Sequence, residues 1–187
     1  AGGYTVIRWD PYVVTRMKAL IKAMGQRFDS HPNFEGIATQ ETAPSLNNLD
    51  AYDYTPEKYR DALIAVLLDA TKSMPTSRVF WYMNFLPRNQ GYPDDVASAV
   101  VGSGVVMGVS DILPDDHALQ KNTYPRYDKF DGKLPKFGQV EPSCYQHLHE
   151  DTSYPTKYWT PRELFRFGRD QLNVDYIFWV RVPKPRM

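Results

Sequence analysis

The sequence predicts an α/β fold with a mostly parallel sheet, and three observations predict it. Amphipathic helical segments alternate with short apolar segments along the whole chain. The apolar segments read as near-continuous runs, as strands do when both faces are covered. Ionisable or amide residues sit where those strands end. Helix-strand alternation of this kind builds βαβ units, whose crossovers are right-handed.

The elements follow in order. In "WDPYVVTRMKALIKAMGQRF", Asp10 is placed to cap a helix with Pro11 at its first position, and Val14, Met17, Leu20, Ile21 and Met24 recur at helical spacing. "NFEGIATQE" is read as a short strand ending on Glu41. "TPEKYRDALIAVLLDATKSM" is a second helix, entered through Thr55 and Pro56, with Leu63, Val66, Leu67 and Ala70 on one face. "SRVFWYMNFLP" is an aromatic and β-branched strand closed by Pro87. "YPDDVASAVVGSG" is a shorter helix stopped by Gly102 and Gly104, and "VVMGVSDILP" is the next strand. Asp115 to Pro135 has loop composition and leads into the strand "KFGQVEP". Thr160, Pro161 and Glu163 form a capping box for a last helix, and "VDYIFWVRV" is the final strand.

Composition narrows the function classes. The chain has 187 residues, enough for one domain with a real core, and its formal net charge is zero. Acidic and basic residues are interspersed, so no basic stripe tracks a phosphate backbone, and nucleic acid is not an expected partner. No apolar run reaches the roughly 18 residues that span a bilayer, so no membrane is expected either. One cysteine, Cys144, rules out an intrachain disulfide. Aromatic residues make up 14%, which suits either a large core or stacking against flat ligand faces.

Within the α/β class the choice lies between an open doubly wound sheet and a (β/α) barrel. No glycine fingerprint opens a helix, which counts against dinucleotide binding. Polar residues at the ends of several different strands, namely Glu41, Asn84, Asp111, Glu141 and Trp179, are the habit of a barrel. Five strands are counted where a closed barrel has eight, and the pattern opens on a helix. The expectation is a single partial (β/α) barrel domain over residues 1–187, lacking the first three βα units. Bare edge strands invite pairing, so a homo-oligomer covering the open edges is expected.

Three segments carry a resemblance: "RFDSHPNFEGIATQETA" with Glu41, "FGQVEP" with Glu141 about 100 residues later, and "YIFWV" near the end. Together they resemble the C-terminal five strands of the clan A (β/α)8 retaining glycoside hydrolases, the superfamily of cellulases, mannanases and xylanases. Counting back from "YIFWV" as the eighth strand of that family puts "FGQVEP" seventh and "FEGIATQE" fourth. The resemblance then implies Glu41 as acid/base and Glu141 as nucleophile. It also implies Trp179 as the floor of the subsite holding the reacting sugar. The family has Asn directly before its acid/base glutamate to bond the sugar 2-hydroxyl, and this chain has Gln40 there, the same amide on a longer stem.

Other residues carry two readings each. Glu41 by itself is either a catalytic carboxylate or a loop carboxylate acting as a cap. Tyr82 and Asn84 either line the cleft or pack and cap at the end of their strand. Asp111 either bonds a sugar hydroxyl or caps the following turn, and Trp179 is either a sugar platform or core. His147, close behind Glu141, is placed as a cleft residue. "HLHE", His147 to Glu150, offers two imidazoles but nominates no third ligand, so neither a metal nor any cofactor is expected. Cys144 lacks a nucleophile signature and is read as a buried structural thiol. No Gly-x-Ser-x-Gly elbow supports a serine esterase.

The expected function is retaining hydrolysis of β-linked oligo- or polysaccharide by two glutamates. Its alternative is a catalytically incomplete half-barrel that binds carbohydrate or serves as a structural fragment. A carbohydrate substrate of this class implies a secreted or periplasmic protein.

Overall fold

The computed structural model describes residues 5–151, 153 and 155–181. The fold class is the expected one: α/β, with a five-stranded parallel sheet in the strand order β1-β2-β3-β4-β5, as in a partial barrel of the TIM type. Strand order follows chain order without the reversal that marks a doubly wound sheet. The chain falls into two compact units, Ala1–Val106 and Met107–Met187.

The first unit begins with α1 (Pro11–Phe28), whose cap forms as its sequence demands. The Asp10 carboxylate accepts from the backbone N–H groups of Tyr12 and Val13 at 2.9 and 3.2 Å. After β1 (Gly36–Ala38) and a 3-10 turn at Asp50–Tyr52 comes α2 (Pro56–Ser73), capped by Thr55, whose hydroxyl accepts from Lys58 N–H at 3.1 Å. β2 (Arg78–Tyr82) and α3 (Tyr92–Val100) follow. β1 and β2 pair in parallel with Ile37 opposite Val79. α2 packs against α1, α3 and β2, and Leu67, Val79, Trp81, Val96 and Val100 are fully buried. The crossing of α1 and α2 depends on Gly25, where a Cβ would lie 2.1 Å from the Ser73 carbonyl oxygen. No larger side chain fits without the helices separating.

β3 (Val105–Val109), buried along its whole length, ends the first unit and opens the second. The stretch read as an irregular loop instead holds two short helices, α4 (His117–Asn122) and α5 (Tyr124–Lys129). Asp116 caps α4 by accepting from Leu119 N–H at 2.9 Å, and Pro125 stands in the first turn of α5. Tyrosine tips tie α5 to main-chain groups on either side of it in the chain. Tyr127 Oη donates to the Phe137 carbonyl at 2.6 Å, and Tyr124 Oη accepts from Leu113 N–H at 2.9 Å. Loop-like composition therefore concealed two short helices, α4 capped locally by Asp116 and α5 held through tyrosines whose partners lie elsewhere in the chain.

β4 (Lys136–Val140) runs parallel to β3 and to β5 (Tyr176–Trp179). Between β4 and β5 lie α6 (Pro142–Gln146), which was not expected, and α7 (Pro161–Arg166). α7 carries the anticipated capping box: Thr160 N–H donates to Glu163 Oε2 at 2.8 Å, and Glu163 N–H to Thr160 Oγ1 at 3.4 Å. It runs on into a π-helical turn, Phe167–Gln171. The core of this unit gathers Ile112, Leu113, Val140, Cys144, Trp159 and Leu164.

Candidate functional site

Glu41 does not end its strand as expected. β1 stops at Ala38, three residues earlier, and the physical reason lies in two threonines. Thr39 N–H makes the last ladder bond, to the Phe80 carbonyl at 2.8 Å. From there side chains replace the main chain as acceptors for the segment leaving β2: Tyr82 N–H donates to Thr39 Oγ1 at 3.2 Å, and Asn84 N–H to Thr42 Oγ1 at 2.8 Å. Thr42 is buried and shares a hydrogen bond with the Tyr92 hydroxyl, which also bonds the Asn84 carbonyl. Gln40 and Glu41, between the two threonines, are left exposed. Arg8 completes the brace by donating to the main-chain carbonyls of Glu41 and Ala43 while its guanidinium lies 5.2 Å from the Tyr59 ring centre.

This brace brings two of the expected site residues together. Asn84 Nδ2 donates to Glu41 Oε2 at 2.7 Å. The amide has a defined sense, because Asn84 Oδ1 accepts from Phe85 N–H at 2.7 Å and leaves the NH2 to face the carboxylate. Asn84 itself lies two residues beyond β2, in the loop, whereas Tyr82 is the strand's last residue and is buried.

In the second unit, Glu141 follows Val140 directly and occupies the N-cap position of α6. Gln139 Nε2 donates to Glu141 Oε1 at 2.5 Å. Strand periodicity carried a signal for this partner, since residues i and i+2 point to one side. Glu141 N–H lies 3.4 Å from Cys144 Sγ, and Cys144 Sγ lies 3.7 Å from Asp111 Oδ1. Ser110 Oγ donates to the other Asp111 oxygen at 3.1 Å. Asp111 thus reaches the turn that holds Glu141 through the cysteine.

Cys144 is fully buried, and burial pushes its thiol up to about 11. The neutral thiol is the form that donates to a carboxylate. In the native protein, alkylation of Cys144 at pH 8 is expected to run at least about a hundredfold slower than for an unfolded thiol. Labelling with and without denaturant, followed by intact mass, checks this, and equal rates would contradict the burial described.

His147 is half-buried at the C-cap of α6. The other imidazole of "HLHE", His149, is buried with its ring 3.9 Å from that of Trp159 and Nε2 3.3 Å from Thr156 Oγ1. Packing therefore takes up one of the two rings that suggested a metal. Among the described residues, no three His, Cys, Asp or Glu side chains are grouped to hold a metal ion. Trp179, the last residue of β5, is 42% exposed, and the Tyr145 ring lies 6.4 Å from it at a 30° tilt.

Comparison with protein-family models, curated proteins and solved structures finds no match. Each unit thus offers one glutamate just beyond the C-terminal end of a parallel strand, hydrogen-bonded by a carboxamide. A carboxamide does not titrate, so it orients either protonation state without competing for the proton. Such a carboxylate can act as nucleophile, base or acid.

Proposed function

We propose that the chain hydrolyses β-linked oligo- or polysaccharide with retention, using Glu141 as nucleophile and Glu41 as acid/base. The observation that carries this reading is the pair of carboxamide contacts, Asn84 to Glu41 at 2.7 Å and Gln139 to Glu141 at 2.5 Å. Each sets a carboxylate beyond a strand end, the position that barrel enzymes use for chemistry. In the first step a Glu141 oxygen bonds the anomeric carbon as the glycosidic C–O bond breaks, and the leaving oxygen takes the proton of Glu41. In the second, water attacks the same carbon, gives its proton to Glu41, and frees the Glu141 carboxylate. Double displacement requires the two carboxyl groups about 5–5.5 Å apart. On this reading Gln40, Asn84, Tyr82, Asp111, His147 and Trp179 contact the sugar.

The test is release of nitrophenol from a panel of aryl β-glycosides, with the anomeric form of the first product followed by NMR. Release with the β-anomer appearing first is the expected result. An α-anomer appearing first, or no release from any sugar, overturns the proposal. A second reading, carbohydrate binding without hydrolysis, is favoured by one feature, the exposed Trp179 face beside Tyr145. That pair offers stacking area that needs neither glutamate. Oligosaccharide binding lost in Trp179→Ala, by a wild type that releases no phenol, would establish it.

A further inference from the structure

Within the first unit, α1, α2 and β1 enclose a groove of about 390 Å³, a size that small-molecule sites share. Val13, Met17, Leu20 and Met24 of α1, Ile37 of β1 and Val66 of α2 are among the side chains that line it. Val13 to Met24 span about 16 Å of helix, so the apolar wall is long enough to hold an extended alkyl tail. Leu20 is 56% exposed, which leaves that wall open to solvent beside α1.

Polar lining is confined to Arg8, Tyr59, Thr39, Gln40 and Thr42. These lie together, because Arg8 donates to the main-chain carbonyls of Glu41 and Ala43 and its guanidinium is 5.2 Å from the Tyr59 ring centre. Arg8 comes just before α1 in the chain, so they mark the end of the groove where α1 begins. The half-buried Arg8 side chain meets neutral carbonyls and a ring, and no carboxylate pairs with it among the described residues. The Glu41 carboxylate turns to Asn84 instead, and that of Asp10 to the first turn of α1. Tyr59 is 2% exposed, yet its hydroxyl makes no hydrogen bond among the described residues. Burial pushes its pKa up, so the hydroxyl keeps its proton and stands as a donor. A buried donor without an acceptor is costly, and an anionic oxygen placed here would satisfy it together with the remaining Arg8 N–H groups. An extended peptide fits less well, since it brings a polar amide about every 3.3 Å against a wall that offers no partner. A second copy fits less well too, because α1 carries Arg16, Lys18, Lys22 and Arg27 and no acidic residue, and like charges would meet.

We propose that this groove binds a straight-chain monocarboxylate, its tail along α1 and its carboxylate between the Arg8 guanidinium and the Tyr59 hydroxyl. This is independent of the reading of the two glutamates, and its test reads binding alone. Calorimetry with dodecanoate, kept below the concentration at which it forms micelles, should give one site per chain. Dodecyltrimethylammonium, the same tail under a cationic head, should bind at least about tenfold more weakly. Tyr59→Phe removes the one oxygen and no protein hydrogen bond, so without ligand it should melt no lower than the wild type. It should nonetheless bind dodecanoate about tenfold or more weakly, the loss of a hydrogen bond to a charged group. Carbon-13 labelling of the methionine methyls should show Met17 and Met24 shifting on addition of dodecanoate. No binding, equal affinity for the two head groups, undiminished binding by Tyr59→Phe, or binding that leaves the Met17 and Met24 signals unmoved overturns the proposal.

Discussion

Glu141→Gln is expected to lower turnover of every aryl β-glycoside by at least about a thousandfold, whatever the leaving group. A carboxamide oxygen is a poor nucleophile, and without the glycosyl-enzyme ester the two-step route is closed. Gln preserves the size of the side chain at the N-cap of α6, so loss of fold would not explain the loss of rate. Glu41→Gln should behave differently. A dinitrophenolate departs without a proton, so the first step survives on that substrate, while an unactivated phenyl glycoside or a natural oligosaccharide loses about a hundredfold or more. The contrast in leaving-group dependence assigns the two roles separately. If both variants lose activity equally on all substrates, the acid/base role of Glu41 is wrong. If neither loses activity, the two-glutamate reading fails altogether.

Gly108→Ala should destabilise the second unit by about 3 kcal/mol or more, the upper end of overpacking costs. Gly108 lies on β3 opposite Phe137 of β4. A Cβ there would stand 2.2 Å from the Phe137 carbonyl oxygen and 2.3 Å from its ring Cδ1. The ring can rotate, but the carbonyl belongs to the sheet and moves only with it. Phe137 is fully buried, and its carbonyl also accepts the Tyr127 hydroxyl at 2.6 Å, so displacing it disturbs the anchor of α5 as well. At about 2–4 °C per kcal/mol for a chain of this size, the melting temperature should fall by about 6–12 °C. Calorimetry of the variant checks this, and an unchanged melting temperature would show that β3 and β4 are not held at the spacing described.

Much of the fold was legible in the sequence because its signals are local. Asp10-Pro11, Thr55-Pro56 and Thr160-Pro161-Glu163 mark helix starts through contacts no more than four residues apart, and all three start where expected. The five strands were legible for a similar reason, since β-branched and aromatic runs between helices have few other uses. The ends of those strands were not. Whether the chain after Ala38 continues as ladder depends on Thr39 and Thr42 meeting Tyr82 and Asn84, more than 40 residues away. No local pattern distinguishes a threonine that lengthens a strand from one that replaces its main-chain acceptor.

The sequence by itself determined the order of the five strands and of α1, α2, α3 and α7, the parallel sheet and the choice of Glu41 and Glu141 as candidates, because periodicity, caps and residue type are properties of short windows. Only the tertiary structure decided what each carboxylate touches. Asn84 is 43 residues from Glu41, Arg8 is 33 residues before it, and Asp111 is 33 residues from Cys144. Those contacts exist because folding brings residues that are distant in sequence within hydrogen-bonding reach just beyond the strand ends, a proximity that no short window of sequence encodes.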